Sequence, residues 1–320
     1  MSLIADTLLT YLPGKRKHTP SGWIGFNAVC CDDKRQRGGF IVNGGDAVSY
    51  HCFNCGFKCS WQPGRNLSQK MRKFMRDLNM PDDVINQLGL EALRLNENST
   101  AEIRTIIPKF DIRALPQDSE LITNLDHIPD KLIPVLEYLQ TRNIFLEDYP
   151  FYWTPKIGFS NRVIIPFIFN DEIVGYTARA IGDTKPKYIS EQQPGYVFNL
   201  DNQHDAREFV IVSEGPFDAI SIDGCALLGA EIKDSQNWLL KQLGKEIVLV
   251  PDRDHEGPRT VEQAIEFGWS VSMPDWPEGV KDINDAVVKL GRLATLYLIA
   301  SAKESNSLKI QLRAKKWFKD

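Results

Sequence analysis

Ile211-Val212-Ser213-Glu214-Gly215-Pro216-Phe217-Asp218-Ala219, Ile247-Val248-Leu249-Val250-Pro251-Asp252-Arg253-Asp254 and Lys281-Asp282-Ile283-Asn284-Asp285 decide the reading of this chain. Each of the first two stretches opens on a short β-rich apolar run, the pattern of a buried parallel strand, and closes on carboxylates. In open α/β sheets, ligands collect outside the carboxyl ends of the strands. One acid there is an ordinary solvated residue. An ordered set repels itself and raises its own pKa values unless a cation sits among it. Hard oxygen ligands without His or Cys suit Mg²⁺ or Mn²⁺. Asp218 follows Glu214 by four residues, so one helical turn returns it to the same edge. Asp252 and Asp254, two apart in an extended segment, point to one side.

Around these motifs, the chain from Glu208 alternates strand and helix, with crossover helices expected over 217–223, 235–243 and 260–267 and a further strand at Trp269-Ser270-Val271-Ser272. That alternation predicts an α/β parallel-sheet domain. Upstream, Arg162–Phe169 and Glu172–Arg179 predict a hairpin around Asn170-Asp171. Leu132–Asn143 predicts a helix, as does Leu67–Leu95 with a break before Pro81. Asn96–Thr100 reads as a loop, and the chain closes with helices from Ile283. Cys225 falls in an apolar run and reads as a core residue.

Five of the six cysteines lie between positions 30 and 59. Cys52-Phe53-Asn54-Cys55-Gly56 is a knuckle in which two thiolates two residues apart face one metal ion. Cys30-Cys31 supplies the other side, and Phe40–Val42 and Ala47–Tyr50 read as strands around Asn43-Gly44-Gly45. The outline is a zinc ribbon, with Cys30, Cys31, Cys52 and Cys55 as the favoured ligands of one structural Zn²⁺. Asp33 stands as the main substitute, Cys59 as another, and His51 reads as a strand residue. The aromatics Trp23, Phe26, Phe40, Tyr50, Phe53, Phe57 and Trp61 crowd this module; most belong to a small core, and one or two on the sheet face would stack on unpaired bases.

Charge is unevenly spread. Residues 1–76 hold twelve Lys or Arg and four Asp or Glu, and the remainder holds 26 and 38, so a module of +8 joins a body of −12 to give −4 overall. A basic module on an acidic body points to a phosphate-bearing partner. No apolar run approaches a membrane span, and the N-terminus carries no secretory pattern. A cytoplasmic, reducing location without disulfides is expected.

The Glu214-Gly215 and Asp252-Arg253-Asp254 pair resembles the TOPRIM domain, the metal-binding fold of topoisomerases, bacterial-type primases and some nucleases. The order of zinc ribbon, helical segment, mixed β segment and TOPRIM resembles bacterial-type DNA primases, in particular the short stand-alone primases of tailed phages. Three further stretches are similar to that family's pattern: Arg162-Val163-Ile164-Ile165-Pro166, Gly175-Tyr176-Thr177-Ala178-Arg179 and Pro186-Lys187-Tyr188. The resemblance implies domains at 1–66 (template-binding zinc ribbon), 67–207 (helical and mixed α/β part of the primase core), 208–290 (TOPRIM) and 291–320 (basic helical segment). It implies a DNA-dependent RNA polymerase making short primers on single-stranded DNA from ribonucleoside triphosphates, in a bacterial host's cytoplasm if phage-encoded, with a replicative helicase as partner. Two or more Mg²⁺ or Mn²⁺ ions would be held by Glu214, Asp218, Asp252, Asp254 and Asp282, with Arg162, Arg179 and Lys187 on template and nucleotide phosphates. Two departures stand out. The family's His after the first Cys is absent, and Asn284 replaces a carboxylate of the third acidic motif. The alternatives are a TOPRIM nuclease using the same carboxylates and a non-catalytic zinc-ribbon DNA-binding factor.

Overall fold

The computed structural model describes residues 2–44, 46–97, 108–203 and 206–319. Gly45 of the expected turn and residues 98–100 of the expected loop lie outside them. The chain divides once, into units Met1–Arg104 and Thr105–Asp320.

The first unit opens with helix α1 (Leu3–Tyr11), which the sequence reading had not marked. Ser2 caps it, accepting from the Ala5 amide. Five strands follow, β1 (Lys17–His18), β2 (Ile24–Phe26), β3 (Gly38–Val42), β4 (Val48–Cys52) and β5 (Lys58–Trp61), paired in chain order as one antiparallel sheet. Strand β4 alternates, turning Val48, Tyr50 and Cys52 inward and leaving Ser49 and His51 half-exposed. Helices α2 (Gln69–Asp77) and α3 (Asp82–Glu97) complete the unit. Their Met71, Phe74, Met75, Ile85 and Leu88 share one buried cluster with Ile4 and Leu8 of α1 and Phe26, Phe40 and Tyr50 of the sheet; the Tyr50 and Phe74 rings stack at 4.1 Å. The expected boundary at 66 is therefore not where the structure divides. The Trp61–Asn66 signal is a turn inside the unit, with the Trp61 indole donating to the Arg65 carbonyl at 2.7 Å.

The second unit holds two sheets. In the first, β6 (Glu120–Leu121), β7 (Tyr152–Trp153), β8 (Arg162–Phe169), β9 (Glu172–Ala180) and β10 (Tyr188–Glu191) run antiparallel in chain order, with helix α4 (Ile133–Thr141) between β6 and β7. Asn170 and Asp171 both take positive φ, as the tight turn between β8 and β9 requires. The second sheet has the order β12-β11-β13-β14-β15, from β11 (Phe209–Ser213), β12 (Cys225–Ala226), β13 (Glu246–Leu249), β14 (Ser270–Ser272) and β15 (Lys303–Glu304). The first four pair in parallel and β15 runs antiparallel at the edge. Crossovers run through α5 (Pro216–Ile222), α6 (Asp234–Gln242) and α7 (Gly257–Phe267); α8 (Ile283–Leu290), α9 (Arg292–Ala302) and α10 (Ser307–Trp317) close the chain.

The expected breaks after 207 and 290 are likewise absorbed into packing. Val197 and Leu200 upstream, and Ile299, Ile310 and Trp317 downstream, share the core of the parallel sheet. Phe110 and Phe169 pack on that core and on the core of the antiparallel sheet.

Strands β9 and β10 approach so closely at Gly175 that a Cβ there would collide with the Glu191 carbonyl. Gly175→Ala is expected to destabilise this unit by about 1–3 kcal/mol, as overpacking does. Denaturant titration followed by tryptophan fluorescence checks it, and an unchanged midpoint would mean that β10 swings aside at no cost.

Candidate metal and nucleic-acid sites

The parallel sheet delivers its acids by three local devices. Glu214 directly follows β11, and Gly215 with Pro216 at the first helical position turns the chain into α5. Asp218 sits in that helix's first turn. Asp252 follows β13, two residues after Val250, whose amide still bonds the Val212 carbonyl. Asp282 is the N-cap of α8 and accepts from the Asp285 amide at 2.7 Å. Glu214, Asp218, Asp252 and Asp282 thus line one cleft of about 470 Å³, with Arg142, Lys187, Tyr188 and Ser190 also on its walls.

Asp254 does not line that cleft. It is exposed, and its Oδ1 accepts from the amides of Glu256 at 2.8 Å and Gly257 at 3.1 Å, shaping the turn into α7. The extended-segment expectation missed this turn, which engages the second Asp with backbone amides.

Burial and like charge act together on the acids that face the cleft. Burial, then the Asp254 charge, lifts Glu214 to about 7 against a bond from the Thr260 hydroxyl. Asp252 is lifted well above the usual carboxylate range by burial and then by Asp218, Glu214 and Asp282. Asp218 rises through burial and Asp282, opposed by the Asn284 amide at 2.9 Å and by Arg142. Asp282 rises through burial, partly offset by the Asp285 amide. Their oxygens share the cleft without three of them converging within 4.8 Å; among the described residues, only the cysteine group below does. A desolvated negative well lined by oxygen atoms fits a hard divalent cation.

The third motif departs further from expectation. Asn284 is 1% exposed and all its polar atoms are engaged. Its Oδ1 accepts from Arg142 Nη1 at 2.8 Å, its Nδ2 donates to the Arg142 carbonyl at 2.9 Å and the Ser221 hydroxyl at 2.7 Å, and its amide serves Asp218. It is a clasp that ties Arg142 and Ser221 to the start of α8. Arg142, which the sequence reading missed, caps α4 and lies over the rings of Tyr138 and Phe217 at 5.5 and 5.7 Å. Nothing local in the sequence pairs it with a residue 142 positions away.

The three expected phosphate-binding cations part company. Lys187 is exposed and lines the cleft. Arg179 is 9% exposed, donates from Nε to the Tyr138 hydroxyl at 3.1 Å and lies between the rings of Tyr138 and Tyr188 at 5.6 and 4.9 Å. Arg162 does not reach the cleft at all: it is 1% exposed, with Nε on the Gly158 carbonyl at 2.8 Å and Nη1 on the Ala178 carbonyl at 3.3 Å. Placed on β8 opposite Ala180, it uses its fork to satisfy backbone acceptors.

In the first unit, Cys30, Cys31, Cys52 and Cys55 bring their sulfurs within 4.8 Å of one another. Cys30 faces Cys55 at 3.5 Å and Cys31 faces Cys52 at 3.6 Å. Four sulfurs at about 2.3 Å from one ion stand about 3.8 Å apart, so the group fits a tetrahedral metal. The adjacent pair is accommodated because residues 29–32 form a turn, with each Cys meeting a different end of the knuckle. The Cys55 amide and Asn54 Nδ2 bond the sulfurs of Cys52 and Cys31. Bonding by the Phe57 amide, with help from the other thiols, lowers the Cys55 thiol to about 7. Asp33 is not in the group. It accepts from the amides of Ala28, Arg35 and Arg37 and pairs with the Arg37 guanidinium at 3.0 Å. Burial alone would raise it, yet these donors hold it well below the usual carboxylate range. Cys59 is likewise spent, buried in the core.

Residues 211–287 match the Toprim-like family model. The chain is 24% identical over 321 residues to a DNA primase of Thermotoga maritima, covering 83% of this chain and 54% of that protein. It is 28% identical over 163 residues to a DNA primase of Clostridium acetobutylicum, covering 45% and 27%. The chain thus spans about half, or less, of the length of these curated relatives. A crystal structure of the zinc-binding and RNA polymerase domains of the Aquifex aeolicus primase is 20% identical and covers 94% of this chain and 83% of that one, at a TM-score of 0.41, too low to argue from.

Two measurements follow from this geometry. Carboxylates with raised folded pKa values hold protons more tightly folded than unfolded. Their stabilising contribution is therefore full below the unfolded value near 4 and lost as pH rises through about 7 for Glu214, about 8 for Asp218 and about 9 for Asp252. Metal-free protein is expected to melt at lower temperature at about pH 8 than at about pH 5, and Mg²⁺ to recover the loss at the higher pH; a flat profile with no Mg²⁺ effect contradicts the negative well. Asp33→Ala is expected to lower the melting temperature of the first unit while leaving bound metal, by elemental analysis, at the wild-type level, and loss of metal would restore Asp33 as a ligand.

Proposed function

We propose that this chain is a DNA primase: a nucleotidyltransferase that joins ribonucleotides into short RNA primers on single-stranded DNA. The observation that carries the reading is the cleft at the carboxyl edge of the Toprim-like sheet, where four carboxylates and Lys187 line one cavity. The similarity to curated DNA primases supports it.

On this reading, Glu214, Asp252 and Asp282 hold Mg²⁺ or Mn²⁺, with Asp218 behind them and Asp254 shaping the turn that follows Asp252. Bound divalent cations supply the Lewis acidity that lowers the pKa of an attacking hydroxyl and neutralises a departing pyrophosphate. Lys187, in the same cleft, offers a point charge to phosphate oxygens. Arg179 acts at one remove, fixing Tyr188 where its ring meets the cleft. Arg162 is not assigned to phosphate. The four cysteines hold one Zn²⁺, whose closed shell leaves no position for an activated water, so the first unit binds template and selects the start. A replicative helicase is the partner that the primase reading implies. The cytoplasm is its place, and no helix among the described residues is long and apolar enough to cross a membrane.

Purified protein with single-stranded DNA, labelled ribonucleotides and Mg²⁺ separates the classes. Short RNA products are expected; shortened DNA would make the chain a nuclease, and binding without products an accessory factor. Glu214→Gln and Asp252→Asn are each expected to cut primer synthesis by more than about 100-fold, beyond the loss typical of residues that only support a metal ligand, with zinc content unchanged. Wild-type yield from either would remove the carboxylates from the reaction.

A further inference from the structure

The last helix is tied to the loop that carries Asp252. Arg253, the middle residue of Asp252-Arg253-Asp254, is half-buried and does not line the cleft. Its amide donates to the Lys281 carbonyl at 2.8 Å, joining the loop after β13 to the one that presents Asp282. Its guanidinium donates from Nε to the Trp317 carbonyl at 3.1 Å and lies 5.3 Å from the Trp317 ring centre.

Trp317 ends α10, where carbonyls lack intrahelical donors and carry partial negative charge, so a guanidinium there is doubly suited. The helix end is itself anchored. Trp317 is 4% exposed, and its indole donates to the Pro274 carbonyl at 2.7 Å. The Phe318 ring meets Trp317 edge-on at 4.9 Å and presses on Gly257, the first residue of α7. A Cβ on Gly257 would strike both Phe318 and the Asp252 carbonyl. The loop is thus gripped at its middle by Arg253 and at its far end by Phe318.

We propose that α10 is a brace for the carboxylate loop and that Arg253 is a positioning residue: clamped to the end of α10, it fixes where Asp252 presents its carboxylate and so sets the affinity for a divalent cation. This rests on the reading of the cleft as a cation site. Acids that repel one another must be held in place before the cation arrives, and a rigid loop spares the cation the cost of ordering it. The short basic end of the chain is then part of the site's frame.

Three variants test this: Arg253→Ala, which removes the clamp; Arg253→Lys, which keeps a donor but loses the planar fork; and Trp317→Phe, which keeps a ring. Mn²⁺ affinity is measured by electron paramagnetic resonance, and amide hydrogen exchange is measured on metal-free protein. Arg253→Ala is expected to weaken Mn²⁺ binding about 10-fold, the scale of a lost supporting contact, and to speed exchange in 251–257 while sparing β11 and the cysteine module. Arg253→Lys is expected to recover part of both, and Trp317→Phe to weaken Mn²⁺ binding less than Arg253→Ala; if the alanine variant does not fold, the lysine variant measured against wild type carries the same comparison. Wild-type Mn²⁺ affinity with unchanged exchange in the folded Arg253 variants overturns the brace, and so does faster exchange with unchanged affinity. Wild-type protein that takes up no Mn²⁺ overturns the cation reading itself, and the role given to Arg253 with it.

Discussion

Mutual repulsion among desolvated carboxylates is the constraint around which the second unit is arranged. Glu214, Asp218, Asp252 and Asp282 come from three separate segments, yet the first two and the last each raise the pKa of Asp252, on top of its burial. Such a cluster opposes folding at neutral pH in the absence of a cation. It persists because each acid is delivered by an element with independent reason to be where it is: a strand end, a helix first turn, a helix N-cap. The core beneath, from Val210 and Val212 through Leu249 to Val271, is apolar and buried.

Relief of that repulsion shapes the neighbours. Asn284 places a neutral amide where the family resemblance implies another carboxylate, and turns the position into a clasp on Arg142. A charged oxygen there would sit beside Asp218, which already takes the Asn284 amide. Arg142 brings a positive charge toward the same acids; its burial disfavours that charge, and Tyr138, Asp282 and Asp218 together more than offset the cost. The proposed metal complement thus rests on fewer carboxylates than the resemblance implies, and on a guanidinium held in position by an amide.

The cysteine unit solves a different problem. A bare ribbon of five short strands has little apolar area, and a metal would have to supply much of its folding energy. Here α1, α2 and α3 lay Ile4, Leu8, Phe74, Met75, Ile85 and Leu88 in one cluster with Phe40 and Tyr50, so the unit owns an apolar core larger than the ribbon alone could build. A metal held by the four cysteines would then lock the knuckle more than fold the whole. The Tyr50 hydroxyl, 3.4 Å from the Cys30 sulfur, is where that core touches the metal group.

Periodicity and local chemistry alone made the parallel sheet, its three crossover helices, the β8–β9 hairpin and the cysteine group legible, because each depends on residues close in sequence: apolar runs, Pro and Gly at helix starts, Asn-Asp at a turn, thiols two apart. The placement of Glu214, Asp218, Asp252 and Asp282 at one edge followed from the same rule, since strand ends in a parallel sheet share a side. What tertiary structure decided was every pairing across distance. Arg162 looked like a cleft cation and is a buried partner of the Gly158 and Ala178 carbonyls, because the carbonyls that claim its side chain are set by packing. Asp33 stood as the substitute ligand and is consumed by amides that only a folded turn assembles. Arg142 meets Asn284, and Arg253 meets Trp317 64 residues on, through contacts with no local signature. Local propensity fixes which groups a segment offers; which of them stay free for chemistry is set by the partners that packing brings, and those are chosen by the fold as a whole.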